Sequence, residues 1–190
     1  MCHALLEDPK FFWLLKRIDE ELAARVRAEG CVHCGAVLHR ADYPRKPRGG
    51  AAAVRADQGL RFSFCCQRCR KRHTSGSVRF LGRRVYFGLA VVLLSARHAG
   101  QTAAAARHGE MLAVPMRTLE RWRRWWQERF AQTRLWQAQG ARFMPPVSAE
   151  ALPGELLERF RGETTAGVLH LLSFLTSLSI GVVFDVGAGC

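Results

Sequence analysis

Acidic residues are scarce in the middle of this chain. Between residues 38 and 97 only Asp42 and Asp57 are acidic, against 14 basic residues, in a chain of 190 residues with a net charge of +13. Such a one-sided segment repels itself until a counter-charge arrives. It points to a polyanionic partner: DNA, RNA or an anionic surface. Lysine is rare as well. Lys10, Lys16, Lys46 and Lys71 are the only four among 29 basic residues, and the rest are arginines. The planar arginine fork donates two parallel hydrogen bonds and so suits phosphate and guanine. The flanks differ: residues 1–37 carry 5 basic and 6 acidic groups, and residues 143–190 carry 2 and 5. The interaction surface is therefore expected in the middle, with the ends as scaffold.

Several catalytic signatures are missing. The aspartates are Asp8, Asp19, Asp42, Asp57 and Asp185, and no set of them is spaced as the carboxylates of a metal-dependent DNA-cutting core would be. There is no phosphate-binding glycine loop and no serine elbow. The two tyrosines are Tyr43 and Tyr86; Tyr86 lies near Arg83, Arg84 and His98, but its setting reads as core rather than as a DNA nucleophile. No catalytic activity is expected. The N-terminal stretch has acids at Glu7 and Asp8 and no small-residue cleavage site after an apolar run, so it does not read as a signal peptide. The expected setting is the bacterial cytoplasm, where paired cysteines read as metal sites rather than disulfides.

Against these absences stand seven cysteines, four of them in two CxxC knuckles, Cys31/Cys34 and Cys66/Cys69, separated by 31 residues. A two-residue gap lets both thiolates reach one tetrahedral ion. Gly35 supplies the freedom that the tight turn after the first knuckle needs. These four cysteines are the expected ligands of a closed, structural Zn2+, with no open position for catalysis. Cys65 is expected on the other strand face as a small hydrophobe, and His33, His39 and His73 are weighed as substitute ligands. The acid-free run Arg68, Arg70, Lys71, Arg72, Arg79, Arg83 and Arg84 is the first candidate surface for nucleic acid.

The predicted fold class is mainly α with a small β zinc ribbon. An amphipathic helix is expected over residues 5–29, with Phe11, Leu14, Leu15, Ile18, Leu22 and Val26 on its apolar face and Gly30 as its stop. Residues 43–57, with Pro44, Pro47, Gly49 and Gly50, read as a loop or basic arm that orders on binding. Helices follow over 85–99, 102–108 and 115–139. The expected division is 1–30, 31–80, 81–142 and 143–190. In the third of these helices Leu119, Trp122 and Trp126 share a core-facing side. Arg117, Arg121 and Arg124 form a stripe on another face. Thr118 and Arg117 are placed for base edges, Arg123 and Arg129 for phosphate. The cluster Trp122, Trp125, Trp126 and Trp136 reads as core. Residues 164–184 carry no charge but contain Ser173, Thr176, Ser177, Ser179 and Gly181 and lack a basic anchor, so a buried or partner-facing helix is expected rather than a membrane span.

A CxxCG…CxxC ribbon ahead of the string Arg117-Thr-Leu-Glu-Arg-Trp122 resembles the DNA-binding front ends and small accessory proteins of bacterial insertion sequences and transposases. The resemblance is one of motifs and covers residues 31–126. It implies a helix-turn-helix that recognises element ends or target DNA. The stretch Glu110–Val114 departs from that pattern, being longer than the usual tight turn. Two other readings remain open on the residues: an RNA-binding ribbon protein, and a non-catalytic assembly adaptor whose ribbon and apolar C-terminal stretch bind a protein partner or a second copy of the chain.

Overall fold

The computed structural model describes residues 2–81, 85–97, 102–161 and 164–180. The chain is mostly helical with a small antiparallel sheet. The first helical run is split. Helix α1 spans Cys2–Glu7 and α2 spans Pro9–Glu29. The break follows from local chemistry: Pro9 has no N–H to continue a helix, and the Asp8 carboxylate caps α2 by accepting from Lys10 N at 2.8 Å. The buried face of α2 is Phe11, Phe12, Leu15, Asp19 and Ala23, while Leu14 is exposed. The expected apolar stripe is thus rotated. The stripe observed, 11–15–19–23, passes through a carboxylate that an apolar count cannot include.

Strand β1 (Leu38–Arg40), β2 (Tyr43–Pro44), α3 (Ala52–Ala56), β3 (Leu60–Arg61), β4 (Ser63–Cys66) and β5 (Arg72–Thr74) follow. β1, β4 and β5 form an antiparallel sheet in the order β1-β4-β5, and β2 pairs with β3. The stretch expected as a free basic arm is instead built into the molecule. Pro47, Gly49, Gly50 and Val54 are buried. Arg48 exchanges backbone hydrogen bonds with Val85 O and Phe87 N, both at 2.9 Å, and Gly49 N donates to Leu112 O at 3.1 Å. Its prolines and glycines serve close packing against the helices rather than mobility.

Helix α4 (Gly88–Arg97) is apolar on every side from Leu89 through Leu94, all of them buried, as befits a central helix. It is packed by α1, α6 (Met116–Glu128), α8 (Gly154–Arg159) and α9 (Thr165–Phe174). Helix α5 (Ala103–Met111) is capped by Thr102, whose hydroxyl accepts from Ala105 N at 3.1 Å. It continues through Gly109 to Met111, so residues 112–115 alone connect it to α6. Gly109 lies under the connection: a Cβ there would meet Val114 O at 2.6 Å, and Val114 N donates to Gly109 O at 2.7 Å. The α5–α6 turn is therefore tighter than the sequence suggests.

Helix α6 ends at Glu128 rather than near residue 139. A 3-10 turn, Phe130–Gln132, then drives Phe130 inward. Thr133 restarts the chain as α7 (Arg134–Gln139), its hydroxyl accepting from Trp136 N at 3.2 Å. The break lets Trp126, Phe130 and Trp136 pack in series as tilted rings, with centroids 4.7 and 5.1 Å apart. One continuous core collects residues from Leu5 to Leu178, so the four sequence segments share an interior. The described part of the apolar C-terminal stretch enters it through Val168, Leu171, Leu172, Leu175 and Leu178. No described helix is long and apolar enough to cross a membrane. A smaller cluster, Ala23, Cys31, Leu38, Phe62, Phe64 and Cys66, lies between the far end of α2 and the three-stranded sheet.

Candidate metal centre

The two knuckles have the same backbone design. In the first, Cys31 N donates to Ala36 O (2.9 Å) and Gly35 N returns to Cys31 O (2.8 Å). In the second, Cys66 N donates to Lys71 O (3.0 Å) and Arg70 N returns to Cys66 O (3.2 Å). The residue after each second cysteine takes a left-handed conformation: Gly35 at φ 67° and Arg70 at φ 60°. Cys69 N also points at Cys66 Sγ, 3.4 Å away. Gly30 ends α2 just before the first knuckle. β4 delivers the second, and the β1–β4 register sets Leu38 opposite Cys66.

The result is a cluster of four sulfurs, Cys31, Cys34, Cys66 and Cys69, all within 4.8 Å of one another. Cys31–Cys69 and Cys34–Cys66 are each separated by 3.5 Å. Ligands about 2.3 Å from a common tetrahedral centre would be spaced comparably. Cys65 stands apart, its thiol turned to Arg70 O at 3.4 Å, as expected of the other strand face.

The protonation chemistry points the same way. Burial pushes the Cys66 thiol up, but the backbone N–H of Cys69 and the neighbouring Cys34 thiol outweigh it and hold Cys66 at about 6. The backbone N–H of Lys71 favours a Cys69 thiolate. Burial and the neighbouring sulfurs of Cys31, Cys66 and Cys34 overcome this and push Cys69 up to about 12. Four thiolates this close repel one another, and a soft cation is what allows all of them to ionise together. The donor set, its spacing and its partly buried setting fit a metal ion.

The candidate nucleic-acid residues fall into separate groups. Arg68, Arg70 and Lys71 are exposed on the second knuckle. Arg72 is tied down: it donates to Ala41 O (2.8 Å) and Ser63 Oγ (3.2 Å) and lies 5.6 Å over the Tyr43 ring. Arg83 and Arg84 lie outside the described residues. Arg117, Arg121 and Arg124 are exposed along α6, opposite the buried Leu119, Trp122, Trp125 and Trp126. Thr118 corrects the sequence reading. It is 4% exposed and sits on the core side of α6, where it cannot reach a base edge. Tyr86 is buried with its ring edge-on to Trp122 at 4.9 Å.

Arg79 is the larger correction. Its sequence neighbours place it in the exposed basic run, yet it is 1% exposed. Its Nε donates to Asp19 at 2.7 Å, and its other nitrogens reach Gln58 Oε1 (3.0 Å) and Leu60 O (2.9 Å). Asp19 also accepts from Ser77 Oγ (2.6 Å) and Val78 N (2.7 Å), and Ser77 N donates to Ser179 Oγ (2.8 Å). A second buried arginine, Arg61, donates to Ser75 O at 2.6 Å, and burial pushes its pKa down. One carboxylate and a ring of carbonyls thus serve two buried guanidiniums. Nothing in the local sequence marks this network, because its partners lie about sixty residues apart. No protein-family model matches the chain, and neither a curated protein nor a solved structure shows significant similarity to it.

Proposed function

We propose that this chain is a zinc-stapled nucleic-acid-binding protein, with duplex DNA as its first ligand. The observation that carries the reading is the two-sided character of α6. Its tryptophans are sealed in the core, and Arg117, Arg121 and Arg124 line the outer face beyond the short α5–α6 connection. Among the described residues Arg117 and Arg124 make no ion pair with an acid. A helix so divided suits a groove, with arginine forks toward phosphate or guanine edges. The four-thiolate cluster is a closed set, which matches a structural Zn2+ and leaves no site for an activated water. Arg68, Arg70 and Lys71 add a second basic surface on the knuckle that the metal would hold rigid. The resemblance to insertion-sequence proteins makes the ends of mobile elements the first specific sequences to try.

The test is fluorescence anisotropy of the zinc-loaded protein with duplex DNA and with a structured RNA across a salt series. DNA binding is expected to weaken steeply with salt. Replacing Arg117, Arg121 and Arg124 together by alanine should flatten the log–log slope by roughly 2–3, about 0.9 for each phosphate no longer neutralised. Preference for RNA, with no effect of the triple replacement, would favour the RNA reading. Absence of binding to either at ~100 mM salt would sink both. The adaptor reading has one observation of its own, the exposed Val32 within the first knuckle and the exposed Val37 just after it. It predicts a protein complex that survives nuclease.

A further inference from the structure

The metal cluster has a fifth donor beside it. His73 Nε2 lies 3.3 Å from Cys31 Sγ. Its place is fixed from several directions. β5 carries it opposite Phe64 of β4. Its own carbonyl accepts from Ser63 Oγ at 3.2 Å. Its half-buried ring packs 5.6 Å from that of His33. Among the described residues only the four sulfurs are mutually within 4.8 Å, so His73 stands just outside the tetrahedron and faces one of its corners.

We propose that His73 is a reserve ligand for the corner held by Cys31. The inference rests on the metal reading of the cluster. A neutral imidazole carries one ring proton. With that proton on Nε2, the ring donates to the Cys31 sulfur and drains charge from the thiolate. With it on Nδ1, the Nε2 lone pair is free for a metal. Three thiolates and one imidazole form an ordinary structural zinc set, and the metal–nitrogen distance of about 2.0–2.1 Å is close to the metal–sulfur distance of about 2.3 Å. Loss of the Cys31 side chain would open a gap next to a nitrogen already aimed at it. Cys34, Cys66 and Cys69 face sulfurs and a backbone N–H rather than an imidazole, so the reserve serves one corner only. The position matters because Cys31 links the end of α2 to the sheet.

The experiment uses Co(II) as a spectroscopic stand-in for zinc in the full chain, comparing wild type with H73A, C31A, C34A and C31A/H73A. Wild type should take one Co(II) with a charge-transfer band from four thiolates. H73A should keep the four-thiolate spectrum but bind roughly 10–100-fold more weakly, as when an outer hydrogen bond to a ligand is lost. C31A should still take one tetrahedral Co(II). Its charge-transfer intensity should be lower and its visible bands shifted by the imidazole. C31A/H73A and C34A should lose that binding. If C31A and C31A/H73A bind Co(II) equally, or if the C31A spectrum ignores His73, the reserve-ligand inference is overturned while the metal site stands. If wild type itself takes no Co(II), the metal reading falls, and this inference with it. Should C31A fail to fold, the imidazole remains to be read in wild type. Paramagnetically shifted imidazole resonances that vanish in H73A, whichever ring nitrogen carries the proton, support the arrangement, and their absence overturns it.

Discussion

Gly35 and Arg70 occupy equivalent places in the two knuckles, yet only one of them is suited to its conformation. A side chain in the left-handed region costs roughly 1–2 kcal/mol. Gly35 escapes that cost at φ 67°, and Arg70 bears it at φ 60°. A Cβ at position 35 would meet nothing within 4 Å, so Gly35→Ala tests conformation without a clash. It should destabilise the metal-loaded protein by about 1 kcal/mol. Arg70→Gly should stabilise it by a similar amount while removing one charge from the proposed binding surface. Denaturant midpoints of the two variants should move in opposite directions. A common direction would refute the matched-knuckle geometry. Asp19 makes a different demand. It is 0% exposed and faces Arg79, Ser77 and Val78 N. Asp19→Ala would leave a buried guanidinium unpaired and should cost about 3–5 kcal/mol in equilibrium unfolding. A loss below ~1 kcal/mol, typical of an exposed pair, would show that water reaches the network. The contrast explains what is legible in the linear chain. Four cysteines at fixed spacing admit few chemistries, so the site is visible before any fold is known. A lone aspartate in an amphipathic helix and an arginine in a basic run each look solvated until the fold brings them together.

At the scale of elements, the helices are legible where one face is apolar and obscure where a break serves packing. The buried face of α6 is readable from Leu119, Trp122 and Trp126. Its end at Glu128 is not, because the reason for it, the burial of Phe130 among Trp125, Trp126 and Trp136, is tertiary. Residues 43–57 look like a mobile arm for the same reason: glycine and proline signal either mobility or close packing, and only neighbours decide. The turn into α8 offers a test by pH. Glu155 accepts from Ser148 N (2.9 Å) and pairs with Arg159 (3.2 Å), whose guanidinium also holds the Met144 and Pro145 carbonyls. The Ser148 N–H first, and Arg159 with it, hold the Glu155 carboxyl below its ordinary value of 4.5. A lowered folded-state pKa adds stability that is fully present above 4.5 and is lost as pH falls through the depressed value. Wild type should therefore unfold at a higher temperature than Glu155→Gln at neutral pH, and the gap should close on acidification below that point. A gap that stays constant with pH would mean that the carboxylate charge has no part in this turn.

On the scale of the molecule, the two apolar clusters differ in self-sufficiency. The large core runs from Leu5 to Leu178 and gathers every long helix. The small one has six buried residues, two of them the cysteines Cys31 and Cys66. Its strands are three to four residues long, too short to persist without a staple. The metal should therefore hold the sheet and not the helical body. Chelation, or Cys34→Ser, should expose the amides of residues 31–41 and 62–74 to hydrogen exchange. Those of residues 89–94 and 122–130 should remain protected, and most helical circular dichroism should survive. Helix α2 contributes to both clusters, and beside it the Asp19–Arg79 network joins α2, the segment after β5 and Ser179 near the C-terminal end of the described chain. If that network conducts the loss, protection should fall next around residues 75–80, before the tryptophan core is touched. Uniform loss of protection on chelation would mean instead that the chain unfolds as one unit and that the metal stabilises all of it. The nucleic-acid reading then makes a separable demand. With α6 intact after chelation, its arginine face should retain salt-dependent DNA binding, and only the share from Arg68, Arg70 and Lys71 should disappear.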